Sequence, residues 1–152
     1  MRDDLNNLFN NLLQKFSMKS KLLHNIYARE IDKRHYLQID RTAGLLELIE
    51  EDKEIFENLS IIEFEIESLA SKICRISGIE REHFEAFFLK RDEKIFSKIR
   101  HQKEGIKEIL HIIIEERDDL IGKMKNKLGE IKNDMDSFSA MVRVKKRDPG
   151  IL

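Results

Sequence analysis

The chain has little of what most folds other than long helices require. Its 152 residues include one proline, six glycines, one cysteine and no tryptophan. A single cysteine excludes a disulfide framework, and no alternating β-branched or aromatic runs predict strands. No apolar stretch approaches the roughly 18 residues that a membrane-spanning helix needs. These absences favour an all-α protein without a membrane span.

Charge is abundant, and it is unevenly distributed along the chain. Charged residues make up 38% of the sequence, and the formal net charge is −1. Residues 1–41 carry eight basic and five acidic side chains. Residues 42–68 carry one basic and nine acidic side chains, and residues 69–152 have a net charge of +4. We therefore expect an acidic helix to pack against basic ones. A nucleic-acid partner would require a continuous basic face, which only the short stretch 143–147 offers, so we expect no such partner.

A heptad seam identifies the second helix. Ten positions alternate by three and four residues, and nine of them are Leu or Ile: Leu45, Leu48, Asp52, Ile55, Leu59, Ile62, Ile66, Leu69, Ile73 and Ile76. A seam of this length predicts a coiled-coil helix. We expect it to begin near Asp40 or Thr42 and to end at Ser77–Gly78, where Gly78 suits a left-handed C-cap.

Two further long helices are predicted on either side of this one. An apolar face begins at Leu5 and fades after Lys33, so the first helix should end between Arg34 and Ile39. The last long helix should run from Glu93 to Phe138, and its seam includes Leu110. Within it, Gly105 is interpreted as a small residue at a close helix contact.

A short, aromatic segment lies before the last helix. It contains Phe84, Phe87 and Phe88, and Asp92 is placed to cap the helix that follows. We interpret the segment as a short helix that covers the end of the bundle; the alternative is an exposed docking patch. The fold class predicted is all-α, an antiparallel long-helix hairpin or coiled-coil bundle of three long helices plus a short connecting helix. We expect one helical-bundle domain over 1–141 and a basic, disordered tail over 142–152.

The only acid of the second-helix seam has a potential partner in the last helix. If these two helices form an antiparallel hairpin, Asp52 falls opposite Arg117. Such a pair would fix the register more than it would stabilise the fold, because desolvation offsets much of the attraction. The alternative is that both side chains extend to solvent.

No motif in the sequence indicates catalysis, a metal or another cofactor. The five histidines form no metal-ligand spacing, and the nearest pairing is Glu80 with His83. His101 superficially matches a phosphotransfer histidine, but Glu104 occupies the place of the helpful cation, where it would repel a phosphoryl group. Cys74 adjoins Ile73 of the seam and is interpreted as a structural thiol. We expect a protein that is not an enzyme.

Three segments of the chain resemble FlgN-type flagellar export chaperones. Leu45–Ile55, a Leu- and Glu-rich helix opening after a break at Asp40–Arg41, is similar to the start of the second helix in that family. The connector Ile76–Ile79 and the spaced Leu/Ile pairs of Ile106–Ile131 are similar to its link and its final helix. Together these segments extend the resemblance over most of the chain.

The resemblance implies a function and a set of partners. Members of this family are cytoplasmic chaperones that bind C-terminal helical segments of hook–filament junction proteins and deliver them to the type III export apparatus. An adaptable apolar groove suits such clients. On this chain we expect the client to bind six residues at the end of the last helix: Leu128, Ile131, Met135, Phe138, Met141 and Val142.

Two other observations bear on location and on the alternative function. The opening residues Met1 to Asp4 lack the basic and apolar run of a signal peptide, so we expect a cytoplasmic protein. The alternative is a structural coiled-coil adaptor without an export client, which dimerises through the seam of the second helix.

Overall fold

The predicted fold class is confirmed at the level of an all-helical protein. The structure, a computed structural model, describes the backbone of residues 2–147 and the side chains of residues 4–137 and 140. Over that part of the chain there is no strand. Four α-helices pack against each other: α1 (Arg2–Gln38), α2 (Thr42–Ser77), α3 (Phe84–Arg91) and α4 (Glu93–Arg147), with a 3₁₀ turn at Arg81–His83 before α3.

The helix ends follow local sequence signals. Gly78 caps α2 in the left-handed region at φ 66°, and the N–H of Ile79 donates to the carbonyl of Cys74 at 3.0 Å. Asp92 caps α4, because its Oδ1 accepts a hydrogen bond from the N–H of Ile95 at 3.1 Å. The turn between α1 and α2 passes through Asp40 at φ 55°, a conformation that Asp tolerates better than most residues.

The chain divides into two compact units. The first unit ends at Glu116, and the second unit begins at Arg117. The prediction of a single domain over 1–141 stays a prediction. The backbone of α4 is described as far as Arg147, and the prediction of a basic, disordered tail over 142–152 stays a prediction. Residues 148–152 lie outside the described part.

Ion pairs show that α1 and α2 lie antiparallel. Lys15 pairs with Glu65, Lys19 with Glu63 at 3.4 Å, and Arg29 with Asp52 at 2.8 Å, so the partner number falls as the α1 number rises. This confirms that the acidic helix packs against a basic one. Within this pairing, the seam acid Asp52 contacts α1.

A single apolar core in the first unit joins all four helices. Its centre is Phe88, which is 1% exposed and stacks on Phe9 with ring centroids 4.2 Å apart. Phe84 and Phe96 each meet the Phe88 ring edge-on at 5.6 Å. The structure thus places Phe84 and Phe88 in the core, as expected of a cap, and leaves Phe87 half-buried. Cys74 is also buried in this core.

Two predictions about α4 are wrong in detail. Ile109 is buried in the core, whereas Leu110, which was assigned to the seam, is exposed. Ile109 and Ile113 are four residues apart and therefore lie on the same face of α4. That face is the buried one, and it does not include Leu110. Gly105 does not mark a close contact, since a Cβ there would meet no atom within 4 Å. The close approach is at Gly44, where a Cβ would lie 3.0 Å from the Tyr36 ring.

We expect Phe88→Ala to lower the free energy of unfolding by about 3–5 kcal/mol, because it removes the ring on which three other rings pack. Leu89→Ala is the control, since its side chain is 40% exposed and its loss should cost well under half as much. Urea unfolding followed by circular dichroism measures both. Equal losses for the two variants would contradict the assignment of Phe88 to the centre of the core.

Candidate functional site

Asp52 is the only polar residue among the ten seam positions of α2. It is 7% exposed, and both of its carboxylate oxygens accept hydrogen bonds from α1. Oδ1 accepts from Nε of Arg29 at 2.8 Å, and Oδ2 accepts from Nζ of Lys33. Charge-assisted bonds of this kind are stronger than neutral ones. Asp52 therefore holds one point of α2 against two points of α1.

The two basic partners are themselves held by other groups. Arg29 also donates to the carbonyl of Leu48 at 2.8 Å and to Glu51 at 3.2 Å. Lys33 also donates to Glu30 at 2.9 Å, and both of these side chains are buried. Burial alone lowers the pKa of Arg29, but its hydrogen bonds to Asp52 and Glu51 outweigh this and raise the pKa above its ordinary value.

This cluster, which we call the buried ion cluster (Arg29, Glu30, Lys33, Glu51 and Asp52), is suited to fixing structure. Its charges are of both signs and bonded to one another, so each neutralises a neighbour that would otherwise be buried unpaired. A general acid or base needs a group that can reach a substrate. Lys33 and Glu30 are 4% and 2% exposed, so neither can reach one.

Sequence reasoning found Asp52 but missed its partners. Glu30 and Lys33 follow Leu23 and Ile26 at heptad spacing, so they occupy seam positions of α1 as Asp52 does in α2. This pattern in the sequence could have identified α1 as the helix that pairs with Asp52. The predicted partner Arg117 is half-buried and is the first residue of the second unit. Its pairing with Asp52 stays a prediction.

The client-binding residues expected from the sequence lie in the second unit. Leu128, Ile131 and Met135 share one face of α4, and their exposed fractions are 64%, 47% and 64%. Among the described side chains of that unit, only Leu120 is buried. We call these three residues the α4 stripe. Phe138, Met141 and Val142 belong to the same prediction, and their side chains lie outside the described part.

Two groups of polar residues contain the side-chain types that metal binding or phosphotransfer requires. Glu80, Glu82 and His83 can each offer a ligand atom within 4.8 Å of the others, but all three side chains are exposed. Exposed acidic groups of this kind are common without a metal. His101 is exposed, as the phosphotransfer alternative requires, and Glu104 beside it is exposed too. The absence of enzyme activity stays a prediction.

No protein-family model, no curated protein and no solved structure matches the chain. Among residues 2–147, no helix combines the length and the apolar character that crossing a bilayer requires.

We expect Asp52→Asn to destabilise the protein by about 3 kcal/mol, because it leaves Lys33 and Arg29 facing a neutral group in a buried site. Glu54→Gln is the control, since Glu54 is an exposed acid two residues away on α2. Urea unfolding at low and high salt measures both. A loss for Asp52→Asn no larger than the control's would mean that the cluster does not fix the two helices.

Proposed function

We propose that this protein is a cytoplasmic chaperone of type III flagellar export, similar to the FlgN family. In this proposal it binds C-terminal helical segments of hook–filament junction proteins, keeps them unassembled and delivers them to the export apparatus. The fold that we propose for it is an antiparallel bundle of the three long helices α1, α2 and α4 with α3 as the short connecting helix. The exposed apolar stripe of α4 is the observation that carries the proposal.

The α4 stripe has the properties of a helix-binding surface. Its three side chains recur at spacings of three and four residues, which matches the repeat of an amphipathic client helix. The flanking residues Glu130, Lys132 and Asp134 are exposed and charged, so the apolar surface is bordered by polar groups. Met135 adds a flexible side chain that can adapt to different client residues.

The rest of the described molecule supports a non-catalytic role. The members of the buried ion cluster bond to one another, and the aromatic rings at the centre of the core pack on one another. An apolar stripe on a helix that does not bury it needs a partner, since exposed apolar surface is costly in water. A client segment that folds on binding supplies that partner.

The alternative is a structural coiled-coil adaptor without an export client. The heptad seam of α2 is one surface through which such an adaptor could dimerise, but Leu45, Ile62 and Ile73 of that seam are buried within the chain. An adaptor would therefore have to pair through the α4 stripe of two copies. Such a protein would elute as a stable oligomer at low concentration.

Binding of synthetic C-terminal segments of junction proteins tests the proposal. We expect Leu128→Glu and Met135→Glu each to weaken binding about tenfold or more, because each places a charge in the apolar contact. Ile114→Glu is the matched control, since Ile114 is a 56% exposed apolar residue of α4 in the first unit. A chain that ends at Gly129 should lose binding. Fluorescence anisotropy with labelled segments measures all four.

Two outcomes would contradict the proposal. One is equal binding by the control and the stripe variants, which would place the client elsewhere. The other is no binding of any junction segment together with a stable oligomer in light scattering, which would favour the adaptor.

A further inference from the structure

An apolar cavity lies beside the centre of the core in the first unit. Its volume is about 150 Å³. Its apolar walls come from α1, α2, α3 and α4, chiefly from Leu12, Phe16, Ala70, Phe84, Phe96 and Ile99. Cavities of about this volume that are lined by apolar side chains bind a benzene molecule. The space therefore suits a group of the size of one phenyl ring.

Three cationic side chains and one acid, Glu85, also line this cavity, and each cation lies over an aromatic ring of its wall. Cζ of Arg81 is 4.9 Å from the centroid of Phe84, and Cζ of Arg100 is 4.9 Å from that of Phe96. Nζ of Lys103 is 5.5 Å from the centroid of the remaining ring, which belongs to α1. Such contacts occur about once per 70–80 residues, yet all those found among the described side chains are here.

The three cations differ in how far they are already neutralised. Arg81 bonds both carboxylate oxygens of Glu67, at 3.1 and 3.2 Å, and this hydrogen bonding lowers the pKa of that acid below its ordinary value. Lys103 has only a long, exposed contact with Glu85 at 3.7 Å, a type of pair that contributes little. Arg100 has no carboxylate partner among the described residues.

A cation held over an aromatic ring at the mouth of an apolar cavity selects for a particular ligand. The guanidinium of Arg100 lies over the Phe96 ring, and its planar fork can bind a carboxylate through two hydrogen bonds. The apolar walls accept a ring or a branched alkyl group by edge-on and stacked contacts. The cation alone, or the apolar walls alone, would accept many ligands. Together they require a ligand that has an apolar group next to a negative charge.

We propose that this cavity binds an apolar group of about phenyl size that carries a carboxylate, with the apolar group among Phe16, Phe84 and Phe96 and the carboxylate on Arg100 and Lys103. Two sources share this chemistry: a free carboxylic acid, and the C-terminal residue of a polypeptide that ends in Phe or Leu. The site lies in the first unit, away from the α4 stripe in sequence, and its existence does not depend on the chaperone proposal.

Titration of the full chain with 3-phenylpropionate and with its neutral amide tests the proposal. The two probes have nearly the same shape, so their difference reports the charge. We expect the acid to bind at least about tenfold more tightly than the amide, which is the size of effect that one charge-assisted bond gives. Shifts of backbone and Phe signals in NMR spectra measure both affinities and the location.

Two substitutions separate the charge from the cavity. Arg100→Gln should lower the acid-to-amide ratio severalfold, because only Lys103 then holds the carboxylate, and it should leave amide binding unchanged. Ala70→Leu should abolish binding of both probes by filling the cavity, since Ala70 is 1% exposed and lines that space, and its NMR spectrum should remain that of a folded protein. Arg91→Gln is the matched control, because Arg91 is an exposed arginine of α3 that does not line the cavity.

The same titration distinguishes the two sources. An N-acetylated pentapeptide that ends in Phe with a free carboxylate is compared with its C-terminal amide. Tighter binding of this peptide than of 3-phenylpropionate assigns the site to chain termini, and the reverse assigns it to small acids. Failure of both probes to bind, equal affinity for acid and amide, or an unchanged ratio in Arg100→Gln would each overturn the proposal.

Discussion

The packing of α1 on α2 depends on the buried bonds that Asp52 makes with Lys33 and Arg29. Apolar seams alone permit helices to slide by one turn, about 5.4 Å, with little loss of contact. Such a slide would take one of the two cations out of reach of Asp52, which would leave a buried carboxylate oxygen without that partner. The ion cluster therefore excludes the alternative registers more than it adds stability. The exposed pairs of Lys15 and Lys19 follow from the same alignment.

The two units have different surfaces. In the first unit, the rings of Phe9 and Phe88 pack together, and a small apolar cavity with cationic side chains around it lies beside them. The described part of the second unit has an apolar stripe that it does not bury. The proposed client site and the proposed carboxylate site thus use different features: adaptable exposed side chains in one, and a small apolar cavity bordered by cations in the other.

Much of the fold could be predicted from periodicity and from caps, because both act locally. The ends of α2 at Thr42 and Gly78 and the cap at Asp92 are read from neighbouring residues. The partner of Asp52 could not be obtained in the same way, since a heptad seam shows which face is buried without showing which helix covers it. The polar residues at seam positions of α1, Glu30 and Lys33, carried that information. The cavity was not predictable, because its lining comes from four helices.

Hydrogen exchange of the full chain, with and without a saturating junction-protein segment, tests the proposed chaperone function most directly. Amides in a helix end that lacks a packed partner open easily and exchange fast. The account predicts that the segment slows exchange around Leu128 to Met135 and leaves exchange around Asp52 and Phe88 unchanged. Protection confined to the first unit, or no protection anywhere, would contradict it.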